Sequence, residues 1–311
     1  MRKKAVIALG GNALIKPGQE GTIYEQFENT RNISESIVKI IKEGWDVVIT
    51  HGNGPQVGAI LLQNDLAKDV TPPMPLGICV AESEGFIGYM IQQCISNALK
   101  KANIDRSVVT LITQVLVDED DPSFKNPTKP IGPYYSDEEV EEIRNEGFQL
   151  KKETDGWRIV VPSPDPKSIV EGKIIKRMLE EKIIVIASGG GGMPVIEKEG
   201  WGLDGLEAVI DKDLASERLA EAIDAELLLI LTNVEKVYLN YKTKDETPLD
   251  IVSIEDLKQY YENGHFPLGS MGPKILAAVR FIEAGGKKVI ISDVEKGWQA
   301  FKEETGTIIT K

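Results

Sequence analysis

The sequence predicts an α/β protein in which a mainly parallel sheet is covered by helices on both faces. Short apolar runs of strand length recur at 5–9, 47–50 and 183–187, and each run leads into a glycine-containing turn. Stretches with apolar residues at helical spacing lie between these runs. Strands that are apolar throughout are typical of parallel sheets buried on both faces. Their alternation with helices predicts the α/β class.

Two of these turns are rich in features that bind anions. The first run ends at Gly10-Gly11, and the second leads into His51-Gly52-Asn53-Gly54-Pro55. Glycines let successive backbone N–H groups point into one concavity, which binds anions. Pro55 suits the first turn of a helix, so residues 51–58 are predicted to form a strand end, a turn and a helix N-terminus. The glycine run that follows residues 183–187 is the third turn of this kind. Three such turns predict that several strand ends converge on a phosphorylated ligand.

The first half of the chain continues with helices and a third strand. A helix over about 33–44 follows the first turn, and the apolar stripe over 87–98 predicts another. We interpret that stripe as core packing. A subunit interface is the alternative, because Gly85 and Gly88 would let a partner helix approach closely. Residues 108–117 are predicted to form the third strand.

Residues 118–168 interrupt the alternation, because they hold seven of the sixteen prolines. Prolines at this density give an irregular and stiff backbone. Tyr134, Tyr135 and Trp157 make the stretch too aromatic for a disordered linker. We therefore predict an inserted subdomain or lid with a small hairpin, projecting from the main sheet. Ordered insertions of this length are often functional.

The alternation resumes at about residue 171. The predicted elements are, in order, a helix, the strand at 183–187 with its glycine run, a hairpin turn at 197–202, a helix capped by Asp213, a strand at 227–231, a helix opened by 269–274, and a last strand at 289–291.

Composition limits the classes of function. The chain has 311 residues, which corresponds to about two domains or one large α/β unit. Its net charge of −13 argues against a nucleic-acid partner. No apolar run approaches the roughly 18 residues of a membrane span, and the first is shorter than the roughly seven of a secretory signal. We expect a soluble, cytoplasmic protein in which Cys79 and Cys94 are buried.

Three lysines are candidates for phosphoryl transfer, which requires that phosphates are held and their charge neutralised. Lys212 lies between two aspartates, Lys274 follows a Gly-Pro pair at a helix start, and Lys129 lies in the proline-rich insertion. With only two histidines, His51 and His265, a metal–histidine site is not expected. His51 is interpreted as shaping its loop.

The common nucleotide-binding motifs are missing from this sequence. It contains no Gly-x-x-x-x-Gly-Lys-Ser/Thr loop, and no Gly-x-Gly-x-x-Gly follows the first strand. A nucleotide is therefore predicted to lie across the later strand ends, between 232–238 and 271–274.

Seven segments together resemble the carbamate kinase family. They span essentially the whole chain, in order, and are Ala-Leu-Gly-Gly-Asn at 8–12, Thr-His-Gly-Asn-Gly-Pro-Gln-Val-Gly at 50–58, Asn-Pro-Thr-Lys-Pro-Ile-Gly-Pro at 126–133, Val-Pro-Ser-Pro-Asp-Pro at 161–166, Ala-Ser-Gly-Gly-Gly-Gly at 187–192, Val-Ile-Asp-Lys-Asp at 209–213 and Gly-Ser-Met-Gly-Pro-Lys at 269–274.

The resemblance implies one domain over 1–311 with the amino-acid-kinase fold. This fold is a three-layer α/β/α sandwich with a mainly parallel sheet of about eight strands and a small protruding subdomain. The carbamate half would comprise about 1–117 and 168–190, the lid about 118–167, and the nucleotide half about 191–311.

The resemblance also implies the reaction. A homodimer would transfer a phosphoryl group reversibly between ATP and carbamate, with Mg²⁺, giving ADP and carbamoyl phosphate. ATP formation in the arginine deiminase route is the expected direction, and carbamoyl phosphate synthesis is the alternative.

Site residues follow from the same resemblance. Lys212 and Lys274 would bridge the transferring phosphoryl group, Asp213 would orient lysine, and Lys129 would reach in from the lid. Carbamoyl phosphate would be held by Gly10, Gly11, Asn12, Gly52, Asn53 and Gly54. The nucleotide would contact Ser188, Gly189, Gly190, Asp211, Thr232, Asn233, Val234, Val237, Tyr238, Met271, Gly272 and Pro273. No protein ligand to a metal is implied.

Two positions distinguish this sequence from relatives. Kinases of amino-acid carboxylates in the wider superfamily usually carry a lysine where this chain has Ala8, and its absence fits carbamate kinase. Asn233 stands where aspartate or another small residue often follows the strand threonine, a departure that bears on ribose or metal contacts.

Three other functions are weighed against this one. A kinase of another small carboxylate or phosphonate is disfavoured by Ala8 and by the lid motif. A nucleotide sensor without catalysis would not need the three lysines. A dinucleotide-dependent oxidoreductase would carry the glycine fingerprint that this chain lacks.

Overall fold

The computed structural model describes residues 2–153, 156–266 and 269–311, with residue 12 described in its backbone only. The strands are β1 (Lys4–Leu9), β2 (Asp46–His51), β3 (Val108–Thr110), β4 (Gln114–Leu116), β5 (Lys129–Tyr135), β6 (Leu150–Glu153), β7 (Gly156–Val161), β8 (Ser168–Ile169), β9 (Ile184–Ile186), β10 (Met193–Lys198), β11 (Gly202–Gly205), β12 (Leu227–Thr232), β13 (Val237–Leu239), β14 (Thr247–Leu249), β15 (Ile251–Ser253), β16 (Lys288–Asp293) and β17 (Thr307–Thr310).

The helices alternate with these strands along most of the chain. They are α1 (Ile23–Lys42), α2 (Gly54–Leu66), α3 (Leu76–Lys101), α4 (Val140–Asn145), α5 (Gly172–Glu180), α6 (Lys212–Ala222), α7 (Ile254–Glu262), α8 (Met271–Glu283) and α9 (Gly297–Phe301). In the part of the chain that the structure describes, no helix combines the length and the apolar character needed to cross a membrane.

The central sheet has eight strands among the described residues, in the order β15-β17-β16-β12-β1-β2-β9-β3. β1 runs parallel to β2 and β12 in continuous register, so Ala8 lies beside Thr50 on one side and Ile230 on the other. β17 pairs antiparallel with β16. The predicted mainly parallel sheet is confirmed.

Helices cover both faces of this sheet, because β1 sends alternate side chains to opposite sides. Ala5, Ile7 and Leu9 join a core formed with α1, α3 and α9. Val6 and Ala8 join a second core formed with α5, α6, α7 and α8. The result is the expected α/β/α sandwich.

The proline-rich insertion carries its own sheet, here called the small subdomain (residues 129–161). β5, β7 and β6 form it in that order, with β6 and β7 antiparallel. Its core side packs on α2 and α3. A Cβ at Gly58 of α2 would lie 2.0 Å from the Cα of Gly132 in β5, so only glycine permits this approach of the two backbones.

The structure corrects two details. Residues 108–117 are not one strand: β3 pairs with β9 in the central sheet, whereas β4 pairs with β10 and β8 in a second sheet. The chain crosses between two buried sheets at residues 111–113, and apolar character alone does not reveal such a crossing. The cap of α6 is Asp211 rather than Asp213; its side chain accepts from the Asp213 N–H at 2.9 Å.

The apolar stripe of α3 is core, as interpreted, since Ile87, Met90 and Ile91 are buried. Gly88 serves a contact within the chain, because a Cβ there would lie 2.2 Å from Thr110 Cγ2 of β3. Both cysteines are buried, as expected.

Candidate active site

A cleft of about 510 Å³ opens at the carboxyl ends of β1, β2 and β12, between the small subdomain and the second half of the chain. Ligands of parallel sheets bind at this edge. Its lining includes Gly10, Gly11, Gly52, Asn53, Gly54, Lys129, Tyr134, Glu153, Arg158, Gly190, Asp211, Lys212, Asp213, Thr232, Asn233, Val234, Tyr238, Tyr241, Lys242, Phe266, Ser270, Met271 and Lys274.

Glycines let three strand ends meet on one side of the cleft. The Gly10 N–H donates to the Leu231 carbonyl at 2.8 Å, and a Cβ on Gly10 would lie 3.0 Å from that oxygen. A Cβ on Gly52 would lie 3.0 Å from the Gly11 backbone nitrogen. Larger residues would push β1, β2 and β12 apart. Asn12, the remaining residue expected here, has a side chain outside the described part of the structure.

Three helices start at the cleft. The first residues of α2, α6 and α8 are Gly54, Lys212 and Met271, and all three line it. Helix N-termini carry unpaired N–H groups and partial positive charge, which favour bound anions. The cleft therefore suits phosphate groups before any side chain is considered.

The candidate lysines meet around two aspartates. Lys212 and Lys274 both donate to the carboxylate of Asp213, the second from Nζ to Oδ2 at 3.1 Å. Lys129, the first residue of β5, pairs with Asp211. Asp211, which the resemblance assigns to the nucleotide, lines the cleft and is paired here with the lysine of the small subdomain. All four predicted catalytic residues share one network.

Burial and charge act against each other in this network. Burial lowers the pKa of the Lys212 ammonium despite the neighbouring Asp213. Burial also disfavours ionisation of Asp213, but the Lys212 and Lys274 charges outweigh it and hold its pKa well below the usual range. The pKa of Lys274 is raised, since Asp213 and Asp211 outweigh its burial. Asp213 is thus an anion that holds two cations.

The residues expected at the nucleotide divide into two groups. Thr232, Asn233, Val234, Tyr238 and Met271 line the cleft. Val237 is fully buried in the core, and Gly272 and Pro273 belong to α8 without lining the cleft, because the helix turns these positions away from it.

The glycine run after β9 packs beside the β2 turn. Ser188 is buried, and its N–H donates to Thr113 Oγ1 at 2.9 Å. A Cβ on Gly189 would lie 2.3 Å from the His51 Nε2, and one on Gly190 would lie 2.1 Å from Asn53 Nδ2. These residues therefore support the β2 turn, and Gly190 also lines the cleft.

The side chain of His51 is buried behind the loop and shapes it, as interpreted. Its Nδ1 lies 3.1 Å from the Gly52 carbonyl, and burial lowers the pKa of the imidazole to about 4. Its position under Gly189 supports the turn from below.

Several lining residues were not predicted. Tyr134, Glu153 and Arg158 come from the small subdomain, and Tyr241, Lys242 and Phe266 from the opposite wall. Arg158 lies over the Tyr134 ring, 5.3 Å from its centroid. These residues have no motif of their own. Only the aromatic residues Tyr134, Tyr135 and Trp157 indicated ordered structure in the small subdomain.

A model of the amino acid kinase family matches residues 3–293. The carbamate kinases of Pyrococcus horikoshii and Pyrococcus furiosus are 52% and 51% identical to this chain, and the alignments cover 100% and 99% of each chain, respectively. Two structures of Giardia lamblia carbamate kinase, bound to citric acid and to AMP-PNP, superpose with TM-scores of 0.94 and 0.91. They are 41% and 43% identical and cover 100% of this chain and 99% of their own.

Proposed function

This chain belongs to the amino acid kinase family and, within it, to the carbamate kinases, and from that premise we propose how its cleft transfers a phosphoryl group between ATP and carbamate. The observation that carries the proposal is the Lys212–Asp213–Lys274 bridge. It lies between the glycine turns of β1 and β2 and the wall formed by Thr232, Asn233 and Met271. One anion fixes two cations where two ligands would meet.

Carbamoyl phosphate occupies the side of Gly10, Gly11, Gly52, Asn53 and Gly54 in this proposal. The N–H groups of Gly10 and Gly52 donate to the Leu231 and Leu9 carbonyls. The N–H groups of Gly11, and of Asn53 and Gly54 at the N-terminus of α2, suit the phosphate oxygens of the ligand. Asn12 follows the same turn and is assigned to this side from the sequence.

The nucleotide occupies the opposite wall, at Thr232, Asn233, Val234, Tyr238 and Met271. A carbamate oxygen then attacks the γ-phosphorus in line while the bond from this phosphorus to the bridging β-phosphate oxygen breaks, so that carbamoyl phosphate forms and ADP leaves. Lys212 and Lys274 neutralise the equatorial oxygens during the transfer, and Asp213 holds both ammonium groups in place.

Lys129 is proposed to contact carbamoyl phosphate from the small subdomain. Since β5 carries it, movement of that subdomain would deliver or withdraw the charge. Lys129→Ala should raise the KM for carbamoyl phosphate far more than the KM for ADP, measured by initial rates. Lys125→Ala, one residue before the same motif, is the matched control. An equal rise in the KM values for both substrates would contradict a contact between Lys129 and carbamoyl phosphate.

Mg²⁺ is proposed to enter with the nucleotide and to reduce the charge on its phosphates. In residues 2–153, 156–266 and 269–311, no group of three His, Cys, Asp or Glu side chains could hold a metal. In this proposal Mg²⁺ is held mainly by the nucleotide phosphates and water, which is the usual mode in kinases. Of the carboxylates that line the cleft, Asp211 and Asp213 are engaged by lysines.

ATP formation in a cytoplasmic arginine deiminase route is the proposed direction, with carbamoyl phosphate synthesis as the alternative. A homodimer through α3 is proposed as well, because Tyr89 is 57% exposed on that helix beside Gly85. Sedimentation of the chain and of Tyr89→Glu tests it. A monomeric wild type would contradict the dimer.

The direct test is ATP formation from ADP, Mg²⁺ and carbamoyl phosphate, followed by coupled luminescence, with acetyl phosphate as the control substrate. Turnover with carbamoyl phosphate is expected. Saturable ADP binding without turnover would instead favour a kinase of another small carboxylate.

A further inference from the structure

In the turn after β2, the side chain of Asn53 is placed where it can distinguish between ligands with different acyl groups. It precedes α2 and lines the cleft, although only 3% of it is exposed. Its Nδ2 donates to Ser83 Oγ at 2.9 Å. Ser83 belongs to α3 and is completely buried, so the contact lies behind the cleft.

The hydroxyl of Ser83 determines which way the amide points. Ser83 Oγ donates to the Val80 carbonyl at 2.7 Å. A hydroxyl has a single hydrogen, so towards Asn53 this oxygen can only accept. The NH₂ group of Asn53 must therefore face Ser83, and this hydrogen-bond network assigns the orientation of the amide.

The carbonyl oxygen of Asn53 is left available. Among the hydrogen bonds of the described residues, none engages Asn53 Oδ1. Gly190 lies against the whole amide, since a Cβ there would be 2.1 Å from Nδ2 and 2.7 Å from Oδ1, and both Gly190 and Asn53 line the cleft. The oxygen is thus an acceptor at the edge of a site built mainly from donors.

The rest of this side of the cleft offers N–H groups and ammonium groups. These suit the oxygens of phosphate and carboxylate. The NH₂ group of a carbamoyl ligand is a donor and needs an acceptor. Asp211 and Asp213 are already paired with lysines.

We infer that Asn53 Oδ1 accepts the NH₂ group of carbamate and carbamoyl phosphate, and that Ser83 is the positioning residue that keeps this oxygen towards the ligand. The inference rests on the proposed function. A methyl group in place of NH₂, as in acetyl phosphate, leaves Oδ1 desolvated and unpaired. Sites that hydrogen-bond a substrate N–H discriminate strongly against analogues that lack it.

Ser83→Ala tests this inference. The variant frees the Asn53 amide to rotate, so the ratio of kcat/KM for carbamoyl phosphate to that for acetyl phosphate should fall about tenfold, as for one lost buried acceptor. Where acetyl phosphate turns over too slowly, its inhibition constant against carbamoyl phosphate replaces its kcat/KM. The matched control is Ser34→Ala, a buried helical serine that donates to the Thr30 carbonyl at 2.7 Å.

If Ser83 had a merely structural role, its replacement would lower kcat/KM for both substrates equally and leave their ratio unchanged. That result would overturn the inference. Failure of the wild type to use carbamoyl phosphate would instead overturn the proposed function. The two failures are thereby distinguished.

A double-variant cycle shows whether Ser83 acts through Asn53. Asn53→Ala should lower the ratio by itself, and Ser83→Ala added to it should cause no further fall. Independent, multiplying effects would contradict the mechanism. Ser83→Cys, whose sulfur is a weaker acceptor, gives a smaller fall in the ratio and serves if Ser83→Ala does not fold; an unchanged ratio in Ser83→Cys would count against the inference.

Discussion

Replacing Asp213 by asparagine would remove a negative charge from between two lysines and keep the shape of the side chain. Asp213 is 2% exposed, and its Oδ2 lies 3.1 Å from Lys274 Nζ. At that distance and an effective dielectric of about 20, one such pair is worth roughly 5 kcal/mol before desolvation. Breaking a buried pair costs about 3–5 kcal/mol net. Asp213→Asn should therefore reduce kcat by on the order of 10²–10³.

The pH profile gives this prediction its direction. Asp213 raises the pKa of Lys274 and opposes the lowering of the pKa of Lys212 by burial. Without it, both ammonium groups lose protons at lower pH. The activity of the variant, measured as ATP formation between pH 6 and 9, should thus recover towards wild type as the pH is lowered.

Stability offers an independent readout of the same charge. Because the pKa of Asp213 is depressed in the folded chain, its contribution is complete above the ordinary aspartate pKa of about 4. It is lost as the pH falls from that value through the lower pKa of the folded chain. Asp213→Asn should lack this acid-side loss. Asp204→Asn, an exposed aspartate paired with Lys198, is the control. Near-normal turnover with an unchanged pH profile in Asp213→Asn would refute the reasoning.

Three further outcomes are expected. Burial raises the pKa of Glu217 to about 7, so folding stability should fall as the pH rises from about 4.5 through 7. Glu217→Gln should remove that fall and raise the free energy of unfolding by up to about 3 kcal/mol at pH 8. The exposed control, Glu180→Gln, should not have this effect. Gly88→Ala should lower the melting temperature, because its Cβ would meet Thr110; an unchanged value would contradict the contact. Both cysteines are buried, so a thiol-modifying reagent should leave the mass and activity of the folded chain unchanged; a gain in mass would contradict their burial.

The sequence predicted the elements whose signals are local. A short apolar run before glycine marks a strand end because a buried parallel strand needs no polar face and a tight turn needs glycine. That signal located β1, β2 and β9. The lysines at 129, 212 and 274 were selected by their turn contexts, and the structure brings all three to one cleft.

Other features depend on contacts that the sequence does not encode locally. Ser188 and Gly189 belong to a glycine run that reads like a ligand loop, yet their neighbours across the fold are Thr113 and His51. Arg158 reaches the cleft because β7 pairs with β5, and no motif reports strand pairing. Asp211 caps α6 because the helix starts at Lys212, one residue before Asp213. The resulting two-residue shift of the cap lies within the uncertainty of any boundary drawn from propensity.

The position of β17 also sets the order in which the sheet can be completed during synthesis. β17 lies between β16 and β15, and β15 pairs in the sheet with β17. Residues 251–253 are made more than fifty residues before their partner, 307–310. On the ribosome, β15 therefore lacks its partner strand until β17 is made, and an exposed sheet edge is open to wrong pairing during that time. A nascent chain stalled before residue 307 should accordingly be more sensitive to proteolysis around 251–253 than the finished enzyme.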